Sequence, residues 1–212
     1  MRWNDTLRRA GLALLCLAAA LPAPSTAQLP DPDPRKELIN ELDALVQRRF
    51  LDIDKGFGIR RIGGPGTAHV FQAENAEEQS LTSRLKASGA DLTMYLASVS
   101  AQGDEPSGEE VRLSPRLGIR GPVWVTQRKR RPAFDRRPLW RIAKQALAES
   151  TGATATRENG WTISARVVRA ADASCVVCHT TQFPLVTDGP VAARVRQTRV
   201  GDPLGVVMYV YK

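Results

Sequence analysis

The C-terminal stretch LGVVMYVYK, residues 204–212, is rich in β-branched and aromatic side chains. The stretch GWTISARVV, residues 160–168, has the same character. Runs of this composition are typical of strands that pack in a sheet. We therefore predict that the two runs are neighbouring strands and that a sheet organises the last quarter of the chain.

Two further strands are predicted upstream of this pair. DLTMYLASVS, residues 91–100, alternates Leu92, Met94 and Leu96 with the residues between them, which is the period of a strand. GPVWVTQ, which begins at Gly121, has a similar composition. GDEPSGEE, residues 103–110, lies between them and has the composition of a loop.

Three helices are predicted as well. KELINELDALVQRRFL, residues 36–51, repeats its apolar residues at intervals of three and four, and ENAEEQSLTSRLKASG, residues 74–89, has acids in its first turn and a glycine at its end. RPLWRIAKQALAEST begins at Arg137 after a turn that proline stiffens. The mixture of helices with hairpin-like strand spacing predicts an α+β fold, an antiparallel sheet with helices packed on it.

The first 27 residues have the features of an export signal. Arg2, Arg8 and Arg9 form a positive start, and an uncharged apolar run is followed by small residues that end at Ala27. The apolar run is shorter than the roughly 20 residues of a membrane helix. We predict cleavage after Ala27 and a periplasmic protein without an integral membrane segment. An uncleaved signal that anchors the chain is the alternative.

The predicted domain organisation follows from this signal. Residues 1–27 form the signal peptide, residues 28–34 (QLPDPDP) form a proline-rich spacer, and residues 35–212 form one domain. The chain has 30 Lys and Arg against 22 Asp and Glu, a net charge of +8, and loss of three arginines and one aspartate with the signal leaves +6. A basic surface favours a partner with an acidic surface.

Nucleic acid is not expected as a partner of an exported chain. The densest basic run is QRKRRP, residues 127–132, and its proline and charges are typical of a solvated loop. We therefore interpret the positive charge as a feature that steers a protein partner.

Cys175 and Cys178 are the only cysteines after the predicted signal, and His179 follows them directly. A disulfide between residues three apart would constrain the unfolded chain very little. The pattern C-x-x-C-H is the attachment signature of c-type haem, in which two thiols bond to the porphyrin and the imidazole binds the iron. We predict one covalently attached haem c, with thioethers at Cys175 and Cys178 and His179 as the proximal ligand.

Other chemistries also use a pair of cysteines. A thioredoxin-like dithiol normally begins a helix after a buried strand, and no such unit is evident around Cys175. A zinc site needs four ligands, and His69 is the one further soft donor. A haem-free dithiol oxidoreductase remains an alternative. The spacing of the other residues indicates no acid–base pair or nucleophile, so no enzymatic activity is predicted.

The sixth position of the iron distinguishes an electron carrier from a binding site. His69, Met94 and Met208 are the histidine and methionine donors that remain besides His179 once the signal is removed. Both methionines lie in predicted strands, where a thioether more often fills a core. His69 follows a glycine-rich turn within residues 63–69, and imidazole is a common axial ligand. We take His69 as the leading candidate, with Met208 or an open position as alternatives.

The region 160–212 resembles the single-haem c-type domains with a PAS-like fold, which occur as small exported cytochromes and as sensory parts of bacterial signalling proteins. The resemblance lies in a strand bearing a tryptophan, then ASCVVCH, then RVGDPLGVVMYVYK. Thr180 stands where these domains usually have a glycine, and this chain has no counterpart of the cysteine that some members offer to the iron. The resemblance implies a PAS-like sandwich of helices on an antiparallel sheet.

The turn that matches this family consists of Val200, Gly201, Asp202 and Gly205. The two glycines suit a positive φ or a close approach of another backbone, and Asp202 can cap the turn. The sequence thus predicts a periplasmic monohaem c-type cytochrome for one-electron transfer to or from a redox partner protein. The alternative is a haem-based module that senses or binds a redox change or a small gas.

Overall fold

A seven-stranded sheet is the centre of the structure, which is a computed structural model. Asp33–Lys212 forms one compact unit. The structure describes residues 33–52, 62–63, 69–102, 110–113, 118–126, 134–149, 151–176 and 198–212. The predicted signal peptide, residues 28–32 of the predicted spacer, nearly all of the predicted loop at 103–110 and the basic run lie outside these residues.

The described residues include seven strands and three helices longer than two turns. The strands are β1 (His69–Val70), β2 (Leu92–Gln102), β3 (Glu110–Leu113), β4 (Ile119–Trp124), β5 (Ala153–Glu158), β6 (Trp161–Arg169) and β7 (Pro203–Tyr211). The helices are α1 (Pro34–Leu51), α2 (Ala76–Ala87) and α3 (Pro138–Ala148).

The strands lie in the order β1-β4-β2-β7-β6-β5, and β3 pairs with the end of β2. Neighbouring strands are antiparallel except β1 and β4, which are parallel. The predicted neighbours, now β6 and β7, pair from Thr162 with Tyr211 to Arg169 with Pro203. The predicted α+β class with a mainly antiparallel sheet is confirmed.

Helix α1 begins two residues before the predicted start. Asp33 caps it by accepting the backbone N–H of Arg35 at 3.0 Å, and Pro34 occupies the first turn, where no intrahelical N–H is required. The last residue of the predicted spacer is therefore the first residue of the helix. Leu42 and Val46 of α1 are completely buried against the sheet, as their spacing predicts.

Helices cover both faces of the sheet. On one face, α1 and α2 pack on alternate residues of the central strands, among them Met94, Val207 and Tyr209. On the other face, α3 packs on the intervening residues, among them Tyr95 and Met208. The central strands are consequently apolar on both sides, as strands buried between two layers must be.

A tight hairpin joins β5 to β6. Asn159 and Gly160 form its turn with φ values of 50° and 79°. Positive φ at both central residues is the geometry that Asn-Gly favours, and it matches the twist of the flanking strands. Strand β5, residues Ala153–Glu158, was not among the predicted strands.

Within the described part of the chain, no helix has the length and apolar character needed to cross a membrane.

Candidate functional site

The first motif cysteine lies in a helical turn, residues 173–176, that follows β6. Asp172 caps this turn, because its Oδ1 accepts the backbone N–H of Ser174 at 2.9 Å and of Cys175 at 3.2 Å, and also the Ser174 hydroxyl. These hydrogen bonds, the hydroxyl first, hold the pKa of Asp172 below its ordinary value. The backbone of Cys175 is thus fixed by an aspartate three residues before it.

The side chain of Cys175 is buried in a small apolar cluster. It is 3% exposed and packs with Ala170 and with Leu204 at the start of β7, and Val176 closes the cluster. The cluster lies where β6 ends and β7 begins, and these strands pair with each other near the middle of the sheet. The first thiol of the motif is therefore held against the central strands in apolar surroundings.

The turn singled out by the family resemblance is bonded to the segment that leads to Cys175. Gly201 donates its N–H to the carbonyl of Ala170 at 2.8 Å, and Ala170 donates to the carbonyl of Asp202 at 2.9 Å. The guanidinium of Arg169 donates to the Gly201 carbonyl at 3.0 Å. Two backbone bonds and one side-chain bond thus tie the turn to the approach to the motif.

The predicted roles of the turn residues are confirmed. Gly201 has a φ of +90°, and a Cβ on Gly205 would lie 2.8 Å from the Ala97 carbonyl oxygen of the neighbouring strand. Asp202 accepts the backbone N–H of Arg199 through Oδ2 at 2.8 Å, so it caps the turn. Each of the three residues meets a local requirement that its side chain, or lack of one, satisfies.

Cys178, His179 and Thr180 lie outside the described residues. The position of the second thiol and of the predicted proximal imidazole remains a sequence prediction. Among the residues that the structure does describe, no group of three or more His, Cys, Asp or Glu gathers as a metal site would require.

His69, the candidate sixth ligand, lies in the edge strand β1. It pairs with Val123, which pairs with Met94, which pairs with Tyr209 of β7. His69 is therefore three strand spacings, about 14 Å, from Tyr209 of β7. Tyr209 in turn lies five residues, about 17 Å, along β7 from Leu204. The separation between His69 and the Cys175 cluster is about 22 Å, and the sheet does not bring them together.

The imidazole of His69 has an unusual local environment. Its Nδ1 is buried without a hydrogen-bond partner among the described residues. Its Cβ lies close to Gly63, where an added methyl group would come within 2.8 Å of it. The side chain lies near the edge of the sheet, on the face covered by α1 and α2.

Met94 and Met208 lie in the core. Both are 0% exposed, and they pack on opposite faces of the sheet, Met94 beneath α1 and α2 and Met208 beneath α3. The interpretation of each as core filler is confirmed. A thioether in either place is surrounded by apolar side chains.

A buried ion pair fixes the segment that follows β1. The Nε of Arg49 in α1 donates to Oε1 of Glu78 in α2 at 2.9 Å, and its Nη2 donates to Oε2 of Glu78 and to the Gln72 carbonyl at 2.5 Å. The guanidinium also stacks over Phe71 at 4.6 Å from the ring centroid. The Arg49 and Glu78 side chains are each only 4% exposed.

The pKa of Glu78 is set by opposing effects. Burial raises it, and the hydrogen bonds from Arg49 and from the Glu74 N–H more than offset burial, so it lies below its ordinary value. The carboxylate is therefore charged at neutral pH, as the ion pair requires.

Two of these features had sequence signals that the prediction did not use. The sequence Asp172-Ala-Ser is typical of a helix N-cap, and it stands directly before Cys175. Asn159-Gly160 is the commonest short hairpin signal. The buried pair of Arg49 and Glu78 had none, because residues 29 positions apart meet only through the packing of two helices.

Comparison of the chain with protein-family models, with curated proteins and with solved structures finds no significant match.

Proposed function

We propose that the protein is a periplasmic monohaem c-type cytochrome domain that transfers single electrons. In this proposal Cys175 and Cys178 form thioethers with one haem and His179 binds its iron. The observation that carries it is the sequence Cys-Val-Val-Cys-His, whose first cysteine is held by the Asp172 cap at the foot of the central strands.

The surroundings of Cys175 fit a covalent haem. Its backbone is fixed by Asp172, and its side chain is 3% exposed and packs with Ala170, Leu204 and Val176. A bound haem would supply the one-electron chemistry. The protein would supply axial ligation and apolar surroundings, which tune a haem potential, and surface charge, which steers a partner.

The strand order supports the PAS-like part of the proposal. The five antiparallel strands after α2 that form a continuous sheet lie in the order β4-β2-β7-β6-β5. The first and last of these five in the chain, β2 and β7, are neighbours at the centre, as in PAS-like domains. The helix between the second and third, α3, covers one face.

The proposed partner is a redox protein with an acidic surface. The predicted mature chain carries a net charge of +6 after loss of three arginines and one aspartate from +8. Charge of this sign accelerates encounters with an acidic partner, and salt screens the effect. We expect electron exchange with an acidic redox protein to slow as ionic strength rises.

Covalent haem is tested by producing the full chain in a host that matures c-type cytochromes. Mass spectrometry of the exported protein should show the added mass of one haem, and Cys178→Ala should leave at most one thioether and much less holoprotein. Cys16→Ala is the matched control, because this cysteine lies in the predicted signal. A wild-type protein without haem mass, or wild-type levels in Cys178→Ala, would refute the proposal; a colourless protein would favour the dithiol alternative.

A haem-based sensing or gas-binding module is the second candidate. The register that separates His69 from the Cys175 cluster by about 22 Å favours it, because it disfavours the leading candidate for a tight sixth ligand. The absorption spectrum of the reduced protein with and without carbon monoxide distinguishes the two. A rapid and complete shift excludes a tightly six-coordinate carrier.

The role of His69 has its own test. If His69 binds the iron, as the sequence predicts, His69→Ala changes the coordination state seen in the spectrum. The distance across the sheet favours an unchanged spectrum, and that result would remove His69 as a ligand.

A further inference from the structure

Arginines gather on the α1 side of β5 and β6, at the edge of the sheet far from β1. Arg157 of β5 is in register with Thr162 of β6, which is in register with Tyr211 of β7. Arg166 lies four residues further along β6. Paired residues of neighbouring strands point to the same face, so these side chains share the face on which α1 packs.

Helix α1 covers this face only in part. Its Asn40 accepts a hydrogen bond from Nη2 of Arg166 at 2.5 Å, and Asp43 accepts one from the hydroxyl of Tyr209 at 2.8 Å. Ala155 and Arg157 on β5 are exposed. A shelf therefore runs beside α1, with the helix as one wall and the strands β5 and β6 as its floor. We call it the arginine shelf, defined by Arg35, Arg157, Thr162, Arg166 and Tyr211.

The arginines of the shelf are incompletely neutralised. Arg35 pairs with Asp33 at 2.8 Å. Arg166 donates only to neutral groups, Asn40 and the hydroxyl of Ser164, and among the described residues neither Arg166 nor Arg157 forms an ion pair. A guanidinium has five donors, so both arginines keep donors for a ligand.

The acids near the shelf are already engaged. Asp33 is bonded to Arg35, which holds its pKa below the ordinary value. Asp43 faces Arg166 from α1, but its carboxylate is half-buried and accepts hydrogen bonds from Tyr209 and Gln47. Three guanidiniums thus lie near two carboxylates. One carboxylate is paired with Arg35, and the other accepts hydrogen bonds from neutral groups.

Tyr211 lies close enough to all three arginines to interact with them electrostatically. Burial and Asp33 raise its pKa, and Arg35, Arg166 and Arg157 act in the opposite direction, so all three guanidiniums are near enough to influence its hydroxyl. Arg157 and Arg166 are about 13 Å apart along the strands at their Cα atoms. Their long stems allow the two guanidiniums to approach a ligand from both ends of the shelf.

We propose that the arginine shelf binds a small oxyanion, a phosphate or a carboxylate, between Arg157 and Arg166. Planar guanidinium forks match the paired oxygens of both groups, and Thr162, the strand partner of Arg157, adds a hydroxyl beside it on the same face. This site goes beyond the haem proposal and does not depend on it, since the shelf is built from α1, β5, β6 and β7.

The test titrates the exported full chain with inorganic phosphate and, separately, with succinate, at constant ionic strength in chloride. Calorimetry and the NMR signals of the arginine Nε–H groups report binding. Arg157→Gln and Arg166→Gln should each raise the dissociation constant about tenfold or more, because each removes a charged hydrogen-bond donor. Arg120→Gln is the matched control, since Arg120 is an exposed strand arginine of β4.

Saturable binding of either probe that weakens in both shelf variants and not in Arg120→Gln supports the site. Preference for phosphate or for succinate identifies the source of the oxyanion. Absence of saturation at millimolar concentrations, or equal weakening in all three variants, overturns the proposal. Arg157 is exposed, so its variant tests binding even if Arg166→Gln perturbs folding, and the haem measurements are independent of either outcome.

Discussion

Replacement of Glu78 by glutamine tests how the packing of α1 on α2 is stabilised. Glu78 and Arg49 are each 4% exposed, and the carboxylate accepts two hydrogen bonds from the guanidinium. One residue earlier on both helices, Arg48 and Glu77 form a second pair at 2.8 Å whose side chains are 61% and 64% exposed. The same two helices therefore carry a buried pair and an exposed pair of the same chemistry.

The expected effects differ because solvent differs around the two pairs. Removal of one partner of a buried pair leaves an uncompensated charge and costs about 3–5 kcal/mol. Arg49 keeps the Gln72 carbonyl, and Glu74 lies 3.9 Å from its Nη1, so we expect Glu78→Gln to cost about 3 kcal/mol. The matched Glu77→Gln should cost about 0–1 kcal/mol, because an exposed pair is screened by water.

Thermal unfolding and denaturant unfolding measure the difference. For a domain of this size, about 3 kcal/mol corresponds to a fall in Tm of roughly 6–12 °C, against at most a few degrees for Glu77→Gln. Equal shifts for the two variants would refute the reasoning that burial decides the contribution. A variant of both residues, Arg49→Met with Glu78→Met, should recover part of the loss because it removes both buried charges.

The pH dependence follows from the lowered pKa of Glu78. A carboxyl group whose pKa is lower in the folded state contributes stability above its unfolded value, here 4.5, and loses it as pH falls through the folded value. The unfolding free energy of the wild type should therefore fall more steeply below pH 4.5 than that of Glu78→Gln. Parallel curves for the two proteins would contradict the lowered pKa.

Three further substitutions test single contacts by thermal unfolding. Asp43→Asn should leave stability at pH 7 equal or higher, because asparagine still accepts a hydrogen bond from Tyr209. Burial is the main effect that raises the pKa of Asp43, so the stability contributed by its protonated form is lost as pH rises through the raised folded-state pKa. Gly205→Ala should cost about 1–3 kcal/mol, because its Cβ would lie 2.8 Å from the Ala97 carbonyl oxygen. Gly201→Ala should cost only about 1 kcal/mol of backbone strain at its φ of +90°, since nothing lies within 4 Å of the added Cβ.

The sequence predicts the central strands well because their composition reflects their position. Strand β7 has apolar side chains on both faces of the sheet, and Val207 and Met208 are completely buried on opposite faces. The alternation of Leu92, Met94 and Leu96 identifies β2 as a strand. It does not reveal that Tyr95 is buried as well, because the second helical layer on that face is a property of the whole fold.

The elements that escaped prediction are short or depend on distant pairing. Strand β1 has two residues and is extended only because His69 and Val70 pair with β4. Strand β5, Ala153–Glu158, is mostly alanine, threonine and charged residues, which as an edge strand it does not need to bury. Where the composition does not favour or disfavour a strand, pairing with a neighbouring strand decides whether the segment is extended.

The local part of the candidate site was predictable, and its long-range part was not. The turn around Gly201 and Asp202 follows from backbone requirements that two or three residues set among themselves. The separation between His69 and Cys175 depends on the register of three strand pairs, which no local pattern contains. A histidine after a glycine-rich turn has the right chemistry for an axial ligand without any information about its distance.

Few side chains of the predicted mature chain could act as the sixth ligand of the iron. His69, Met94 and Met208 are the histidine and methionine residues available besides His179 once residues 1–27 are removed. Both methionines are completely buried beneath helices on opposite faces of the sheet, and His69 is about 22 Å from the Cys175 cluster. Ligation by Met94 or Met208 would require its thioether to leave the core in which it is buried. If haem is attached as proposed and none of the three reaches the iron, the sixth position is exchangeable and the reduced protein should bind carbon monoxide rapidly, as the sensing candidate predicts. An incomplete or slow shift would indicate a tight sixth ligand, as expected of an electron carrier.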